Sequence, residues 1–353
     1  MQAELLRVGD VVIREIDVRN LTDDEIVAIN DFGNIMGAES NPDDPPTPLD
    51  VAQAAMRNIP EFVVVHRFLA LDPDGTIIGS ASAQYMKAEE NQHLVNGSVV
   101  VLADHRRKGI GTALLRQVVA ATEAEGRTLI IGGTTERIPA GDVFAERVGA
   151  EAAQGNHVNR LLLADVDRDL VRRWIEDGPR RAPGYSLVWV DGFYPDDIID
   201  DVVDVMHVMN DAPRDNVQME DQHITVEHFR AMEKQIEAIN AEPWSLFARH
   251  DATGQLVGLT DVIWMPAQPD TVNQGNTGVR PEHRGHALGK WLKASMLQRI
   301  LDDRPGVLDI RTGNADSNEA MLGINRQLGF KPYRASTTWQ VTVDRVREYL
   351  ESR

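Results

Sequence analysis

Two basic, glycine-bearing stretches carry the clearest chemistry in this sequence. The first is His105-Arg106-Arg107-Lys108-Gly109-Ile110-Gly111-Thr112; the second is His283-Arg284-Gly285-His286-Ala287-Leu288-Gly289-Lys290. Each follows a β-rich run, Ser98 to Leu102 or Asn276 to Val279, and opens an amphipathic helical pattern. A helix start exposes unpaired N–H groups at the positive end of its dipole, and small residues let an anion come close. In the first stretch Arg106, Arg107 and Lys108 add positive charge; in the second Arg284, His286, Lys290 and Lys293 do so. The expected ligand is a phosphate or pyrophosphate. Neither stretch has the Gly-Lys-Ser/Thr ending of a P-loop or the Gly-x-Gly-x-x-Gly of a dinucleotide fold.

Groups able to move a proton are more scattered. Asp211, Glu220, Asp221 and His223 lie in one polar segment, Met209 to His223, where they can bind a cationic amine or accept its proton. The other reading of each is a solvated loop residue. Asp261 faces either the core or a cleft, depending on strand register. Trp264, Met265 and Trp291 line a pocket or fill a core. His66, His157 and His207 share no metal-ligand spacing, so no metal site is expected. There are no cysteines, which removes thiolate nucleophiles and disulfides.

The elements that position these residues recur twice. Val11 to Ile16 reads as a strand, followed by a helix capped at Thr22 or Asp23 and running toward Met36. Its counterpart is a strand from Tyr185 to Val190 and a helix from Pro195 through Val202, Val205 and Met209. A hairpin turning at Asp72-Pro73-Asp74-Gly75 matches one turning at Asp251-Ala252-Thr253-Gly254. Later strands, Leu129 to Ile131 and Leu308 to Ile310, lead to helices ending at Gly149 and Gly329. Arg106 and Arg284 stand 178 positions apart and Gly149 and Gly329 stand 180 apart, so the repeat keeps register. This predicts domains over 1–164 and 185–353, joined by a polar linking helix and linker over 165–184 that stops at Gly178-Pro179.

The chain has 353 residues, enough for two cores, and its 42% hydrophobic content is that of a folded protein. A net charge of −19 repels phosphate backbones and anionic membranes and attracts cationic amines. No nucleic-acid or membrane partner is expected. Met1 to Asp10 lacks the apolar run of a leader, so a cytoplasmic location is expected.

Arg106-x-x-Gly109-x-Gly111 resembles the Gln/Arg-x-x-Gly-x-Gly/Ala signature of the GNAT acyltransferase superfamily, and Arg284-x-x-Ala287-x-Gly289 is a relaxed form of it. The run from Asn314 through Asn318, Met321 and Asn325 to Gly329-Phe330 is similar to the family's later strand-helix motif. The resemblance covers nearly the whole chain, in the two-domain arrangement of mycothiol synthase. It implies an α+β (mixed α/β) fold of two tandem GNAT-type domains, each a mixed, mostly antiparallel sheet flanked by helices. It also implies an N-acetyltransferase that moves acetyl from acetyl-CoA, or another acyl from its acyl-CoA, to a small-molecule primary amine in a ternary complex. A non-catalytic acyl-CoA sensor or scaffold and a protein lysine acetyltransferase are the alternatives, and monomer and homodimer both stay open.

By the same resemblance, Val100, Val101, Leu102, Thr277 and Val279 would bind the pantetheine amides, with an amide near Leu102 or Val279 as oxyanion donor. Arg106, Arg107, Lys108, Gly109, Ile110, Gly111 and Thr112 would bind the pyrophosphate. Arg284, Gly285, His286, Ala287, Leu288, Gly289 and Lys290 would do the same in the second half, and Asn314 and Asn318 would border the thiol end. The tyrosine that many members use to protonate the thiolate is replaced by Ala145 and Asn325. Asn325 would hydrogen-bond the sulfur or only cap local backbone. With Glu220 and His223 it completes the catalytic candidates, and catalysis is expected in the C-terminal half.

Overall fold

The computed structural model describes residues 6–353; Met1 to Leu5, part of the stretch read for a leader, lie outside the described residues. The first half contains β1 (Leu6–Val8), β2 (Val11–Ile16), α1 (Asp23–Ser40), α2 (Leu49–Arg57), β3 (Val63–Leu71), β4 (Ile77–Met86), β5 (Leu94–Val101), α3 (Ile110–Ala124), β6 (Leu129–Thr135), α4 (Ala140–Val148) and β7 (Glu151–Leu162). Then come α5 (Arg168–Arg181), β8 (Tyr185–Asp191), α6 (Ile199–Met206), α7 (Val226–Ala238), β9 (Glu242–His250), β10 (Leu256–Trp264) and β11 (Thr271–Val279). The chain ends with α8 (Leu288–Asp303), β12 (Asp309–Ala315), α9 (Glu319–Leu328), β13 (Lys331–Thr342) and α10 (Val343–Glu351).

Two compact units form, and they are not the linear halves. The first unit comprises residues up to Gly155, 215–220 and 336–353; the second comprises 156–214 and 221–335. β7 and β13 each pass from one unit into the other. In the first unit the strand order is β1-β2-β3-β4-β5-β6-β13, antiparallel except for β5 beside β6. In the second it is β8-β9-β10-β11-β12-β7, antiparallel except for β11 beside β12.

Strand alternation sends successive side chains to opposite faces, and each face is covered by helices. In the first unit Phe68 and Ala70 pack with Leu114, Val118 and Val346 of α3 and α10, while Leu69 packs with Ile29 and Phe32 of α1. In the second, Val257 and Val262 meet Trp291, Leu292 and Met296 of α8. Phe247 and Leu259 meet Val202, Val205 and Phe229 of α6 and α7.

The start of α1 is a capping box: Thr22 Oγ1 accepts from Glu25 N and Glu25 Oε2 accepts from Thr22 N. Two expectations need correction. The helix after β8 begins at Ile199, not Pro195, and gives way at His207 to a 3-10 turn, His207–Asp211. The linking helix runs through Gly178-Pro179 to Arg181 and belongs to the second unit. Pro179 falls in the last turn and forfeits the bond its N–H would make to the carbonyl four residues back, so packing must hold this turn. A Cβ on Gly178 would lie 2.4 Å from the Trp291 indole, so glycine there seats α5 against α8. Among the described residues no helix is long and apolar enough to cross a membrane.

Candidate functional site

Each parallel strand pair is a fork. β5 and β6 pair only from Leu94↔Leu129 to Asn96↔Ile131, and β11 and β12 only from Thr271↔Asp309 to Gln274↔Thr312. Beyond these points one edge of β5 or β11 loses its partner strand. Alternation of the antiparallel ladder decides which amides face the opening. Leu102 N donates to Ile78 O and Arg280 N donates to Val257 O. Val101 in one unit, and Thr277 and Val279 in the other, therefore turn their N–H groups into the fork. The expected roles of the Val100 and Leu102 amides are corrected accordingly, because ladder bonding to β4 uses them.

The turns after the forks share one backbone design. Arg107 and Gly109 are left-handed (φ 64° and 86°), as are Gly285 and Ala287 (φ 87° and 59°). Two left-handed residues fold the chain back so that α3 and α8 start beside the fork, with Ile110 and Leu288 anchored in the core. Gly111 and Gly289 open the first turn of each helix; added Cβ atoms would meet Phe144 at 3.8 Å and Ile324 at 3.4 Å. Thr112 follows in the same turn.

The two matching arginines work as staples. Arg106 Nε donates to Val101 O (2.9 Å) and its other nitrogens pair with Glu39; Arg284 Nε donates to Val279 O (2.9 Å) and Nη2 pairs with Asp211 (2.8 Å). Lys108 stays exposed. The second turn is less basic than the sequence suggests. Lys293 is buried on the core face, and desolvation pulls it down to about 7. The His286 ring stacks with Tyr185 at 5.3 Å, and His283, which pairs with the Tyr185 hydroxyl (2.9 Å), is held low by burial.

The two forks differ in what borders them. Gly133 and the matching Gly313, just past the last paired residues, both have nothing within 4 Å. β11, however, carries a bulge: Thr260 faces Thr277 but Val262 faces Gln274, leaving Gly275 and Asn276 opposite Asp261. Asp261 takes the cleft side, the α6–α7 face that Leu259 also uses. Its carboxylate accepts from Asn276 N and Nδ2, both at 2.9 Å. It keeps some accessible surface, yet surrounding protein desolvates it and raises it to about 6, against the pull of the Asn276 bonds. Nearby, the Tyr194 hydroxyl meets Ser245 Oγ at 3.0 Å and is raised to about 12, mainly by burial. At the matching positions β4 and β5 have no bulge and pair Ser82 with Ser98.

Each of the three catalytic candidates has partners of its own. Glu220 lies in the first unit, where it accepts from Asn91 N (2.5 Å) while Asn91 Oδ1 accepts from Glu220 N (2.8 Å). Val217 and Met219 of that segment pack on Leu94, Leu129 and Ile131, at the paired end of the strands and away from the fork. A segment expected to line the second acceptor site is thus partly core of the first unit. His223 lies in the second unit, its ring 6.0 Å from His207, and Asp221 pairs with Arg214. Asn325 is 1% exposed, its Nδ2 donates to Asn314 Oδ1 (2.8 Å), and its Oδ1 has no hydrogen-bond partner. Asn318 caps α9 through Met321 N. Asp261 is the residue that sequence reasoning left undecided, since one extra residue in β11 sets its direction.

Residues 32–149 match the acetyltransferase (GNAT) family. No curated protein matches the sequence. Among solved structures, a tandem GNAT protein from the clavulanic acid biosynthesis pathway, without AcCoA, is 24% identical with TM-score 0.76, covering 94% of this chain and 98% of that one. A GCN5-related N-acetyltransferase from Sphaerobacter thermophilus is 14% identical with TM-score 0.64, covering 95% and 96%. A glucosamine N-acetyltransferase region of a fungal multi-domain β-N-acetylglucosaminidase is 14% identical with TM-score 0.62, covering 94% of this chain and 38% of that one. The chain as a whole shares the fold of that tandem GNAT protein, and its residues 32–149 carry the sequence pattern of the GNAT acetyltransferases.

Proposed function

We propose that this protein is an acyl-CoA-dependent N-acyltransferase that moves acetyl from acetyl-CoA to a primary amine of a small molecule, by direct attack in a ternary complex within the second unit. The observation that carries this reading is Asp261, held by Asn276 at the bulge of β11, whose edge loses its partner strand beyond Gln274. Acetyl-CoA supplies an acyl thioester with an electrophilic carbonyl and a thiolate leaving group. The unpaired edge of β11 offers amides to the pantetheine arm, and Val279 N–H can donate to the carbonyl oxygen as charge develops there. Asp261 takes the proton that the amine loses, a task suited to a carboxylate raised to about 6. Asn276 holds that carboxylate in place, and the field of a −19 chain draws cationic amines toward it. Asn325 has no acidic proton to give the thiolate, so it serves the packing of α9 on β12.

The test is CoA release from acetyl-CoA with a panel of small primary amines, followed as kcat/KM against pH. Activity should rise as Asp261 loses its proton near pH 6. Asp261→Asn should lower kcat by about 10²-fold or more while acetyl-CoA binding stays unchanged. A variant as active as the parent would remove Asp261 from the mechanism. For the first unit, Ser82 in place of a carboxylate and the unbulged strand support a structural or ligand-binding role without transfer.

A further inference from the structure

The face of α5 that meets α8 carries residues that acyl transfer leaves unexplained. Arg173, Asp177 and Arg181 recur at every fourth position and so line one side of the helix. With Trp174, Ala287 and Lys290 they wall an open surface groove of about 140 Å³, room for part of a ligand and not for a whole one. Ala287 is the left-handed residue of the phosphate-type turn, so groove and turn are continuous.

The charges are arranged for an anion. Arg172 pairs tightly with Asp169 and Arg180 with Asp177, but Arg173 stands 3.9 Å from Asp167 and Arg181 4.0 Å from Asp177, beyond hydrogen-bond reach. Both line the groove, and the carboxylate among its lining residues, Asp177, already has Arg180. Lys290 Nζ lies 4.8 Å from the Trp174 ring centroid and 2.9 Å from Gln327 Oε1, between the aromatic wall and the turn. The corresponding helix of the first unit differs: α10 pairs Arg345 with Glu348, and Arg347 with Glu123 and Asp344.

We propose that this groove binds the adenosine 3′-phosphate of coenzyme A, with Arg173 and Arg181 on the phosphate monoester and the Trp174 indole against adenine, so that the second unit selects donors carrying that phosphate. The proposal rests on the acyl-CoA reading, since a ribose is all that separates this phosphate from the pyrophosphate at the turn. Guanidinium forks suit a phosphate monoester, and an indole face suits a purine.

The test is calorimetric titration of the full chain with CoA, 3′-dephospho-CoA and adenosine 3′,5′-bisphosphate, repeated for Arg173→Ala/Arg181→Ala and for Trp174→Ala. Both arginines are exposed, so the double variant should fold. CoA should bind the parent about tenfold or more tighter than dephospho-CoA, and the double variant should lose that preference by weakening CoA alone. Trp174→Ala should weaken both. Equal binding of the two by the parent, or equal weakening by the double variant, would overturn the groove and leave the acyl-CoA reading standing. Binding of the bisphosphate without CoA would do the reverse.

Discussion

Ala287 holds a left-handed conformation (φ 59°) at the point where the other turn has Gly109 (φ 86°). A Cβ there costs about 1–2 kcal/mol, part of which a glycine loses again by loosening the unfolded chain. Ala287→Gly should therefore raise stability by about 1 kcal/mol in chemical denaturation. A drop instead would mean that the turn is not strained at this residue. Lys293 presents the opposite problem, a polar end inside a core. It is pulled from the ordinary lysine value of 10.5 to about 7 because burial penalises its charged form. Between those values an unfolded chain holds a proton that the folded chain releases, so stability rises with pH from about 7 to 10.5 and the full penalty applies below 7. Lys293→Met should stabilise the second unit by roughly 2–4 kcal/mol at pH 7, and urea titrations at higher pH should show that gain shrinking. A gain that did not vary with pH would assign the effect to packing instead.

At the scale of elements, the bulge beside the fork is set by glycine. A Cβ on Gly275 would come within 2.3 Å of Asp261 Oδ1, so any side chain there displaces the carboxylate from Asn276. Gly275→Ala should lower kcat by about 10²-fold while acetyl-CoA affinity, which depends on the turn and on Val279, changes little. An equal loss in both quantities would mean that the whole strand had moved. Much at this scale was legible in the sequence. Asp-rich hairpin turns, the Thr22 cap and the two basic turns each rest on interactions within a few residues, so local patterns found them. The bulge was not, because Asp261 meets Asn276 across a strand pairing that no local pattern records. The run of α5 past Pro179 was missed for a related reason: the partner that stabilises the last turn, Trp291, lies far away in the chain.

For the whole molecule, the repeat announced two units of one design but not which segments build each. β7 and β13 follow equivalent helices with equivalent patterns, and either could complete either sheet as far as hydrophobic spacing goes. The structure has Ser336 to Thr342 beside β6 in the first unit and Asn156 to Leu162 beside β12 in the second. The helix that follows each strand goes with it, so α10 covers α3 and α5 covers α8. The C-terminal eighteen residues therefore hold the N-terminal fold together. Val343, Val346 and Leu350 are at most 4% exposed in the first core, and burying each contributes about 1.5–3 kcal/mol. Losing them and the ladder to β6 would approach the ~5–15 kcal/mol that stabilises an entire domain. Deleting 336–353 should thus abolish amide-exchange protection in α3 and in Leu129 to Thr135, while β11 and β12 in the second unit stay protected. If protection disappeared from β11 and β12 instead, the linear halves, and not the exchanged units, would be what folds.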